Sequence, residues 1–221
     1  IIARAAKKRD YKVRKVYGSR DYYGLEKEKL KFEIIPVYRI KNPREARNVT
    51  DLSYFHVNYV KRKLKLGLPL EIMLAKMFCK AQGIYGAESY INGFSGYGIE
   101  CLIIYYGSFE KMLKELIKVE VRKKLILDPE KLYKRKEDVL FEINESKLQS
   151  PIILVDPTWK ERNVLAALSS ETFMKFQDAA RKFLKNPSGK FFEAEEFSEE
   201  KFRALIKSSG SSAGEFLHLR I

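Results

Sequence analysis

The feature that most constrains this chain is a glycine- and tyrosine-punctuated stretch from Gly83 to Phe109, which holds six of the twelve glycines. Clustered glycines let backbone approach backbone, or a ligand, more closely than side chains would allow. Aromatic side chains beside them offer flat faces on which a base can stack. The same pattern also suits tight turns with core tyrosines, so residue chemistry alone leaves both interpretations open.

Charge is the second constraint, because 43 Lys and Arg face 29 Asp and Glu, giving a net charge of +14. Such an excess favours a polyanionic partner, and nucleic acid is the leading candidate because phosphate contacts release counterions. A membrane surface is the alternative, yet no helix with a basic face and a bulky apolar face is evident. A generally Lys-rich, thermophilic composition would explain the charge without any partner.

The chain has the composition of a globular protein, since 45% of its 221 residues are apolar. That length suits one large or two modest domains. Cys79 and Cys101 lack metal-ligand or disulfide spacing, so we expect buried free thiols in a cytoplasmic protein. Apolar runs such as Leu102–Tyr106 are too short to cross a bilayer, and no membrane association is expected. The chain opens on Ile1 without an initiator Met, which suggests a fragment or a processed product.

Periodicity predicts an alternation of helices and short strands. The first sixteen residues are typical of a helix followed by a strand, and Leu70–Ala81 carries an apolar stripe expected to face the core. Gly83 should end that helix, and Ser169 should cap another. The remaining predictions are a loop over Tyr17–Gly24, strands at Leu30–Ile35, Leu125–Leu127, Val139–Ile143, Ile152–Val155 and Phe216–Ile221, and helices over Ser53–Leu66, Leu102–Tyr106, Phe109–Val119, Ser169–Leu184 and about 198–207.

Few side chains in this sequence indicate a catalytic or binding role by themselves. Glu33 points off a predicted strand away from its apolar face, as a magnesium-binding carboxylate would, although such a residue is usually only solubilising. Arg162 follows a buried strand and could reach a phosphate or a base edge, or equally pair with Asp156. Lys76 lies beside an apolar stripe, where a solvated lysine is the commoner outcome. Gly18-Ser19 is interpreted as a plain turn, and His56 and His218 lack zinc-site spacing.

Several blocks in a fixed order resemble the archaeal, class I CCA-adding enzyme family of tRNA nucleotidyltransferases. The resemblance covers roughly residues 11 to 190. Its blocks are Glu33-Ile34-Ile35-Pro36-Val37-Tyr38, Asp51-Leu52-Ser53-Tyr54-Phe55-His56, Gly83 to Glu88, Gly93 to Tyr97, Glu100-Cys101-Leu102, Tyr106-Gly107-Ser108-Phe109, Val155-Asp156-Pro157, Arg162-Asn163-Val164, Ala166-Ala167-Leu168-Ser169 and Asn186-Pro187-Ser188.

The resemblance implies a role for particular residues. Glu33 would be a catalytic carboxylate that holds Mg²⁺, and Ser53 and His56 would line a triphosphate pocket. Lys76 and Tyr85 would contact the phosphates of the incoming CTP or ATP. Arg162 would contact its base with help from bound RNA. The family adds C, C and A to tRNA 3′ ends without a nucleic-acid template, so tRNA, CTP and ATP are the expected partners.

This chain also departs from the family pattern. Glu33 replaces the usual Asp, Arg20 stands where the family has a His, and Ser53 and Tyr54 replace Thr and Pro. A Gly-Ser strand with two further carboxylates is missing, as is most of the tail domain. The alternative hypothesis is therefore a non-catalytic, basic RNA-binding module that retains the scaffold. A related adenylyl-polymerising enzyme is less favoured, because it would need a different central domain.

The expected fold class is α+β, with three parts. Residues 1–57 would be the rear of a nucleotidyltransferase head domain, and 58–190 a mostly helical central domain with a small sheet. Residues 191–221 would begin an α/β tail domain. A homodimer or a separate N-terminal half are the protein partners considered.

Overall fold

The computed structural model describes residues 2–17 and 20–193, which form a mixed α+β fold with two three-stranded sheets within that part of the chain. The expected fold class is confirmed at this level. The elements in chain order are α1 Ile2–Lys7, β1 Lys12–Val16, β2 Tyr22–Lys27, β3 Leu30–Ile34, α2 Ser53–Lys63, α3 Leu68–Ala81, α4 Gly96–Tyr106, α5 Phe109–Leu116, β4 Leu125–Leu127, α6 Lys136–Glu142, β5 Ile152–Asp156, β6 Trp159–Asn163 and α7 Ser170–Lys185.

The first sheet is an antiparallel meander in the order β1-β2-β3. The loop predicted over Tyr17–Gly24 is wrong at its C-terminal end, because β2 already begins at Tyr22 and pairs with β1 there. Aromatic residues have high strand propensity, and this pair of tyrosines extends the strand toward the turn. The predicted strand beginning at Leu30 is confirmed as β3, although every residue in it is exposed.

The main core lies between α3, α4, α5 and α7, with the side chains of β4 and β5 adding to it. Phe78 of α3 is fully buried and lies 5.4 Å, between ring centroids, from Phe109 at the start of α5. The core also contains Cys79 and Cys101, and both are buried free thiols, as expected. Burial of large aromatic and aliphatic side chains is the main stabilising contribution in such a core.

The predicted apolar stripe of α3, which consists of Leu70, Met73, Leu74, Met77, Phe78 and Ala81, is wrong as a buried face for its first four residues. Leu70 and Met73 are 62% and 50% exposed, and Leu74 and Met77 are exposed as well. Phe78 is buried as expected, but on a side of the helix that it shares with Leu68, Ile72, Ala75 and Cys79. Because α3 is apolar around most of its circumference, periodicity does not identify the inner face, and packing against α4 and α5 does.

The second sheet is mixed, with β4 parallel to β5 and β5 antiparallel to β6. All five residues of β5 are buried, which confirms the predicted strand at its centre. The strand predicted over Val139–Ile143 is wrong, because α6 covers most of it. Val139 and Ile143 are four residues apart, so in a helix both reach the same side and pack on Ile153 and Val155.

The glycine-rich stretch forms the connection from α3 to α5. Gly83 has a φ of 66° and follows the last residues of α3, as predicted. Gly93 approaches the backbone so closely that a Cβ there would lie 2.2 Å from the carbonyl oxygen of Ile84. This approach allows Tyr85 to form a bridge with Phe94. The stretch therefore acts mainly as a structural connection between helices.

Three further predictions lie outside the described residues: the Gly18-Ser19 turn, the helix near 198–207 and the strand Phe216–Ile221. Most of the proposed tail segment 191–221 lies there as well. None of the helices within the described ranges combines the length and hydropathy that crossing a membrane requires.

Candidate functional site

The first turn of α4 is the point at which four of the six predicted site residues meet. Ser95 precedes this helix, and its hydroxyl oxygen accepts the N–H of Gly98 at 3.0 Å. Gly96 and Tyr97 form the first two positions of the helix. One side of this turn faces α3 and the glycine-rich connection, whereas the other faces α2 and the β5–β6 hairpin.

The first group consists of Lys76, Tyr85, Gly96 and Glu100, which we name the lysine–tyrosine cluster. The Tyr85 hydroxyl lies against Gly96 so closely that a Cβ there would be 2.7 Å from its oxygen and 4.0 Å from Lys76 Cε. Lys76 Nζ donates to Glu100 Oε1 at 2.5 Å, and the lysine side chain is 27% exposed. Only a glycine at position 96 allows this approach.

The lysine–tyrosine cluster has the chemistry of an anion site. Lys80 Nζ lies 5.0 Å from the centre of the Tyr85 ring, which adds a second cation over the ring. The N-terminus of α4 contributes the positive end of a helix dipole. Glu100 neutralises Lys76 in this structure, so the cluster favours a phosphate-like ligand only where that ligand takes the place of Glu100 on the ammonium group.

The second group surrounds one buried carboxylate, and we name it the Asp156 cluster: His56, Tyr97, Asp156, Thr158 and Arg162. Asp156 has no solvent exposure. Its Oδ2 lies 2.6 Å from Arg162 Nη1 and 3.1 Å from His56 Nε2. Its Oδ1 accepts the N–H and the hydroxyl of Thr158, both at 2.8 Å.

Tyr97 joins the Asp156 cluster to the start of α4. Its hydroxyl lies 3.3 Å from Asp156 Oδ1, and its ring stacks on His56 with centroids 3.8 Å apart and planes 13° apart. Burial raises the pKa of Tyr97 well above its usual range, and the neighbouring Cys101 and Asp156 raise it further. The phenol therefore stays protonated, and its O–H donates to the carboxylate in this structure.

The Asp156 carboxylate is ionised despite its burial. Burial raises its pKa, but the hydrogen bond and charge of His56, the charge of Arg162 and the Thr158 N–H together lower the pKa to about 2. A carboxylate in this state keeps Arg162 and His56 on one oxygen atom at neutral pH. The pairing of Arg162 with Asp156, considered from the sequence as an alternative to ligand contact, is thus present in the structure.

The structure brings four of the six predicted site residues around one helix turn. Lys76 and Tyr85 reach Gly96, whereas His56 and Arg162 are linked to Tyr97 directly or through Asp156. Arg162 is 23% exposed, so part of its side chain is accessible. Residues separated by more than a hundred positions in sequence thus meet around the first turn of α4.

Ser53 lies at the start of α2 and makes no direct contact with either cluster among the described residues. Its hydroxyl donates to the Thr50 carbonyl oxygen at 2.7 Å and is exposed at the start of α2, one turn before His56. The hydroxyl therefore caps the short 3₁₀-helix Val49–Leu52, which directly precedes α2. Its predicted role in a triphosphate pocket stays a prediction.

Arg20, which replaces a family His, has a structural partner. Its Nη2 donates to the buried Asp51 Oδ2 at 2.8 Å, and its Nη1 donates to the Pro36 carbonyl oxygen at 2.9 Å. Burial raises the pKa of Asp51, but backbone N–H groups from Tyr38, Asn48 and Arg47, together with Arg20, lower it below its usual value. Asp51 therefore connects the segment that follows β3 to the residues just before α2.

Glu33 lies apart from the other five predicted residues. It is exposed on β3, opposite Gly24, in a groove that also contains Lys12, Arg14 and Lys31. Within residues 2–17 and 20–193, no group of three His, Cys, Asp or Glu side chains is placed to hold a metal ion. The groove contains a second carboxylate, Glu26, but three cations line it as well, and two carboxylates without a third ligating side chain among the described residues do not complete a site for Mg²⁺.

Sequence reasoning missed the residues that organise the site: Gly96, Tyr97, Glu100 and the central role of Asp156. A signal for Asp156 was present, since a carboxylate directly after four apolar strand residues is buried and must find partners. Tyr97 gave no such signal, because its partners come from distant positions in sequence.

Residues 70–193 match the family described as tRNA nucleotidyltransferase, second domain. The chain is 43% identical over 159 residues to the CCA-adding enzyme of Nanoarchaeum equitans, covering 72% of this chain and 40% of that protein. It is 38% identical over 178 residues to the CCA-adding enzyme of Methanocaldococcus jannaschii, covering 80% and 38%. The chain thus spans about two fifths of the length of these curated relatives.

Solved structures share the fold at low sequence identity. A cytoplasmic RNA terminal U-transferase superimposes with a TM-score of 0.60 at 13% identity, covering 87% of this chain and 75% of that one. The Cid1 poly(U) polymerase superimposes with a TM-score of 0.58 at 13% identity, covering 86% and 75%.

Proposed function

The chain belongs to the tRNA nucleotidyltransferase family, whose second domain it matches over residues 70–193, and we propose that it is part of an enzyme that adds CCA to tRNA 3′ ends. The reaction would be attack of a tRNA 3′ hydroxyl on the α-phosphate of CTP or ATP, with release of pyrophosphate. The observation that carries this proposal is the meeting of the lysine–tyrosine cluster and the Asp156 cluster at Gly96 and Tyr97.

The two clusters suggest two halves of a nucleotide site. Lys76 and Tyr85 would contact the triphosphate, where their cation and hydroxyl match phosphate oxygens. His56 and Ser53 would line the same pocket from α2. Arg162 would contact the base, since its guanidinium is a planar fork of donors. Glu100 now holds Lys76, so a bound phosphate would compete with that carboxylate for the ammonium group.

We propose that this chain by itself does not catalyse the reaction. Mg²⁺ would supply the charge that stabilises the transferring phosphates, but Glu33 and Glu26 in a groove lined by three cations do not complete a site for it among the described residues. A metal role for Glu33 therefore requires further carboxylates, and a separate N-terminal half is the proposed source.

The test is incorporation of CTP and ATP into tRNA that ends before CCA, in the presence of Mg²⁺. The pure chain should add nothing, and clear addition would refute the proposed inactivity. If a separate N-terminal half restores addition, Lys76→Ala and Arg162→Ala should each impair it. Lys114→Ala is the matched control, because Lys114 pairs with Glu110 on the exposed face of α5. Unchanged kinetics in both site variants would exclude those residues from the site.

A non-catalytic RNA-binding module is the second candidate, and the poor fit of Glu33 to a metal favours it. It would bind tRNA in a salt-sensitive manner with no step that depends on CTP or ATP. Nucleotide-dependent extension in the restored system would exclude this candidate.

Further proposals follow from the family. Residues 1–57 would belong to the head domain, 58–190 to the central domain and 191–221 to the tail, with α2 running through the first boundary. The partners would be tRNA, CTP and ATP in the cytoplasm, without a membrane. A homodimer and a separate N-terminal half stay open as protein partners.

A further inference from the structure

We propose that Asp156 is a positioning residue that aims the Arg162 guanidinium at the nucleotide base. This inference rests on the proposed function, because it assumes that Arg162 contacts the base of CTP or ATP. Asp156 itself would touch neither the nucleotide nor the reacting atoms, since it has no solvent exposure. It would act entirely through the direction in which it holds Arg162.

The direction of the Asp156 carboxylate is itself fixed. Oδ1 accepts both the N–H and the hydroxyl of Thr158, two residues along the chain, and the Tyr97 hydroxyl from α4. These three donors prevent rotation about the bond to the carboxylate. Oδ2 is therefore held at one place, where Arg162 and His56 both reach it.

Arg162 is left with donors to spare. A guanidinium has five N–H groups, and within the described part of the chain only those of Nη1 meet a protein acceptor, at 2.6 Å. The side chain is 23% exposed, so part of it is accessible to a ligand. A planar group fixed through one nitrogen, with further N–H groups that no protein acceptor holds in the described part of the chain, is suited to read the oxygen and nitrogen acceptors of a base.

Replacing Asp156 with Asn should affect Arg162 and His56, the two groups that contact Oδ2, in different ways. The amide oxygen would stay beside the two Thr158 donors, which places the amide NH₂ where Oδ2 was. Arg162 offers only donors, so it would lose its partner. A neutral His56 ring in the tautomer with the proton on Nδ1 can accept from this NH₂ through Nε2, whereas no form of Arg162 can accept. Asp156→Asn should therefore release Arg162 more than it disturbs His56.

The chain offers a matched control and a built-in reporter. Asp178 and Arg181 form an Asp–Arg pair at 2.9 Å on the exposed side of α7, remote in sequence from both clusters. Asp178→Asn makes the same chemical change there. Trp159, the single tryptophan, lies in β6 next to Thr158, so its fluorescence can report ligand binding.

The experiment measures the binding of CTP, ATP and tripolyphosphate to the 221-residue chain by Trp159 fluorescence. We expect Asp156→Asn and Arg162→Gln each to weaken CTP and ATP binding about tenfold, as losing a charge-assisted contact does. The double variant should bind CTP and ATP no more weakly than the weaker of the two single variants. The affinity for tripolyphosphate, which has no base, should change less than about threefold in Asp156→Asn. Asp178→Asn should leave the affinity for all three ligands unchanged.

Additive losses, or a loss of tripolyphosphate affinity as large as that of CTP, would overturn the inference, because both describe a general structural defect. If Asp156→Asn does not fold, Thr158→Val replaces it, since that variant removes one donor to Oδ1 at nearly constant volume. It should weaken CTP and ATP selectively by about threefold. Equal effects on all three ligands would again overturn the inference.

A readout without nucleotide separates this inference from the proposed function. The side-chain N–H signal of Arg162 in ¹⁵N spectra should move to the position of a free arginine in Asp156→Asn and stay in place in Asp178→Asn. An unmoved Arg162 signal in Asp156→Asn would overturn the inference, whatever the nucleotide results. If the wild-type chain binds neither CTP nor ATP, aiming at a base is refuted together with nucleotide binding by this chain. A moved signal would then establish only that Asp156 orients Arg162.

Discussion

Asp156 illustrates, at the scale of one residue, how a buried charge is stabilised by its neighbours. Its two oxygens accept from a backbone N–H, two hydroxyls and Arg162, and Oδ2 also contacts the His56 ring. An ionised carboxylate without such partners would be very unfavourable in this position. The cluster therefore depends on all of its members together.

The depressed pKa of Asp156 predicts a specific loss of stability in acid. The carboxyl has a pKa of about 2 in the folded chain, against 3.8 ordinarily. Because the folded value is the lower one, the stabilisation is complete above pH 3.8 and is lost as the pH falls toward 2. The difference corresponds to about 2 kcal/mol. Chemical denaturation between pH 2 and 6 measures it.

The control for this prediction is again the exposed Asp178. Asp156→Asn should be less stable than the wild type at pH 6 and should lose less on acidification. Asp178→Asn should follow the wild-type curve at every pH. An unchanged pH dependence in Asp156→Asn would show that this carboxyl does not titrate differently in the two states.

Gly93 is a residue whose lack of a side chain is required by backbone packing. A Cβ there would lie 2.2 Å from the carbonyl oxygen of Ile84 and 3.0 Å from that of Gly86. Since backbone cannot move aside as a flexible side chain can, Gly93→Ala should destabilise the chain by at least about 2 kcal/mol. Gly189→Ala, with open space around it, should change stability by less than about 0.5 kcal/mol. Equal melting temperatures for the two variants would contradict this account.

At the scale of elements, one side of α3 packs in the core and another side carries Lys76 of the candidate site. Its inner side packs Ile72, Ala75 and Phe78 against the other core helices. Lys76 points instead toward Glu100 at the site. Met73 and Met77 are on an apolar outer side that has no cover among the described residues. The placement of Lys76 follows from which side of α3 is buried.

This orientation of α3 predicts opposite results for two neighbouring substitutions. Met73→Gln should change the free energy of unfolding by less than about 0.5 kcal/mol, because Met73 is half exposed. Ile72→Gln should cost at least about 3 kcal/mol, because it buries an amide without assured partners. The introduced residue is the same in both, and because glutamine is a better helix former than isoleucine, helix propensity does not add to the cost at Ile72. Urea denaturation compares them, and similar costs would mean that α3 is rotated from its described orientation.

At the scale of the whole molecule, the net charge of +14 is the dominant property. Many acidic residues are already paired with lysine on the surface, such as Glu110 with Lys114 and Glu115 with Lys118. One-to-one pairs cancel, so the excess of lysine and arginine creates a positive field over the surface. Such a field attracts a polyanion from a distance and weakens as salt is added.

If tRNA is the partner, its affinity for this chain should fall steeply with salt. Neutralising roughly four phosphates would weaken binding about a hundredfold between 50 and 200 mM salt. Fluorescence anisotropy with labelled tRNA measures the slope. An uncharged peptide nucleic acid of matched sequence is the control and should show weak binding with little salt dependence. A flat salt response for tRNA would contradict an electrostatic interface.

The sequence by itself determined the family resemblance, most element types and the residues from which the site is drawn. Ordered glycine blocks, Ser169 as a helix cap and the apolar β5 are local signals, and local signals survive without tertiary context. The sequence misplaced the inner side of α3 and the structure of 139–143. In both places the apolar pattern fits more than one arrangement, and packing alone selects among them.

Only the tertiary structure decided how the site is assembled. Gly96 and Tyr97 gather side chains from α2, α3 and the β5–β6 hairpin, and Asp156 holds His56 and Arg162 on one oxygen. The structure also placed Glu33 in a groove with Glu26 and three cations, apart from the other five predicted residues. Hydrogen bonds and ion pairs act over a few ångströms, and sequence separation carries no information about such distances until the chain has folded.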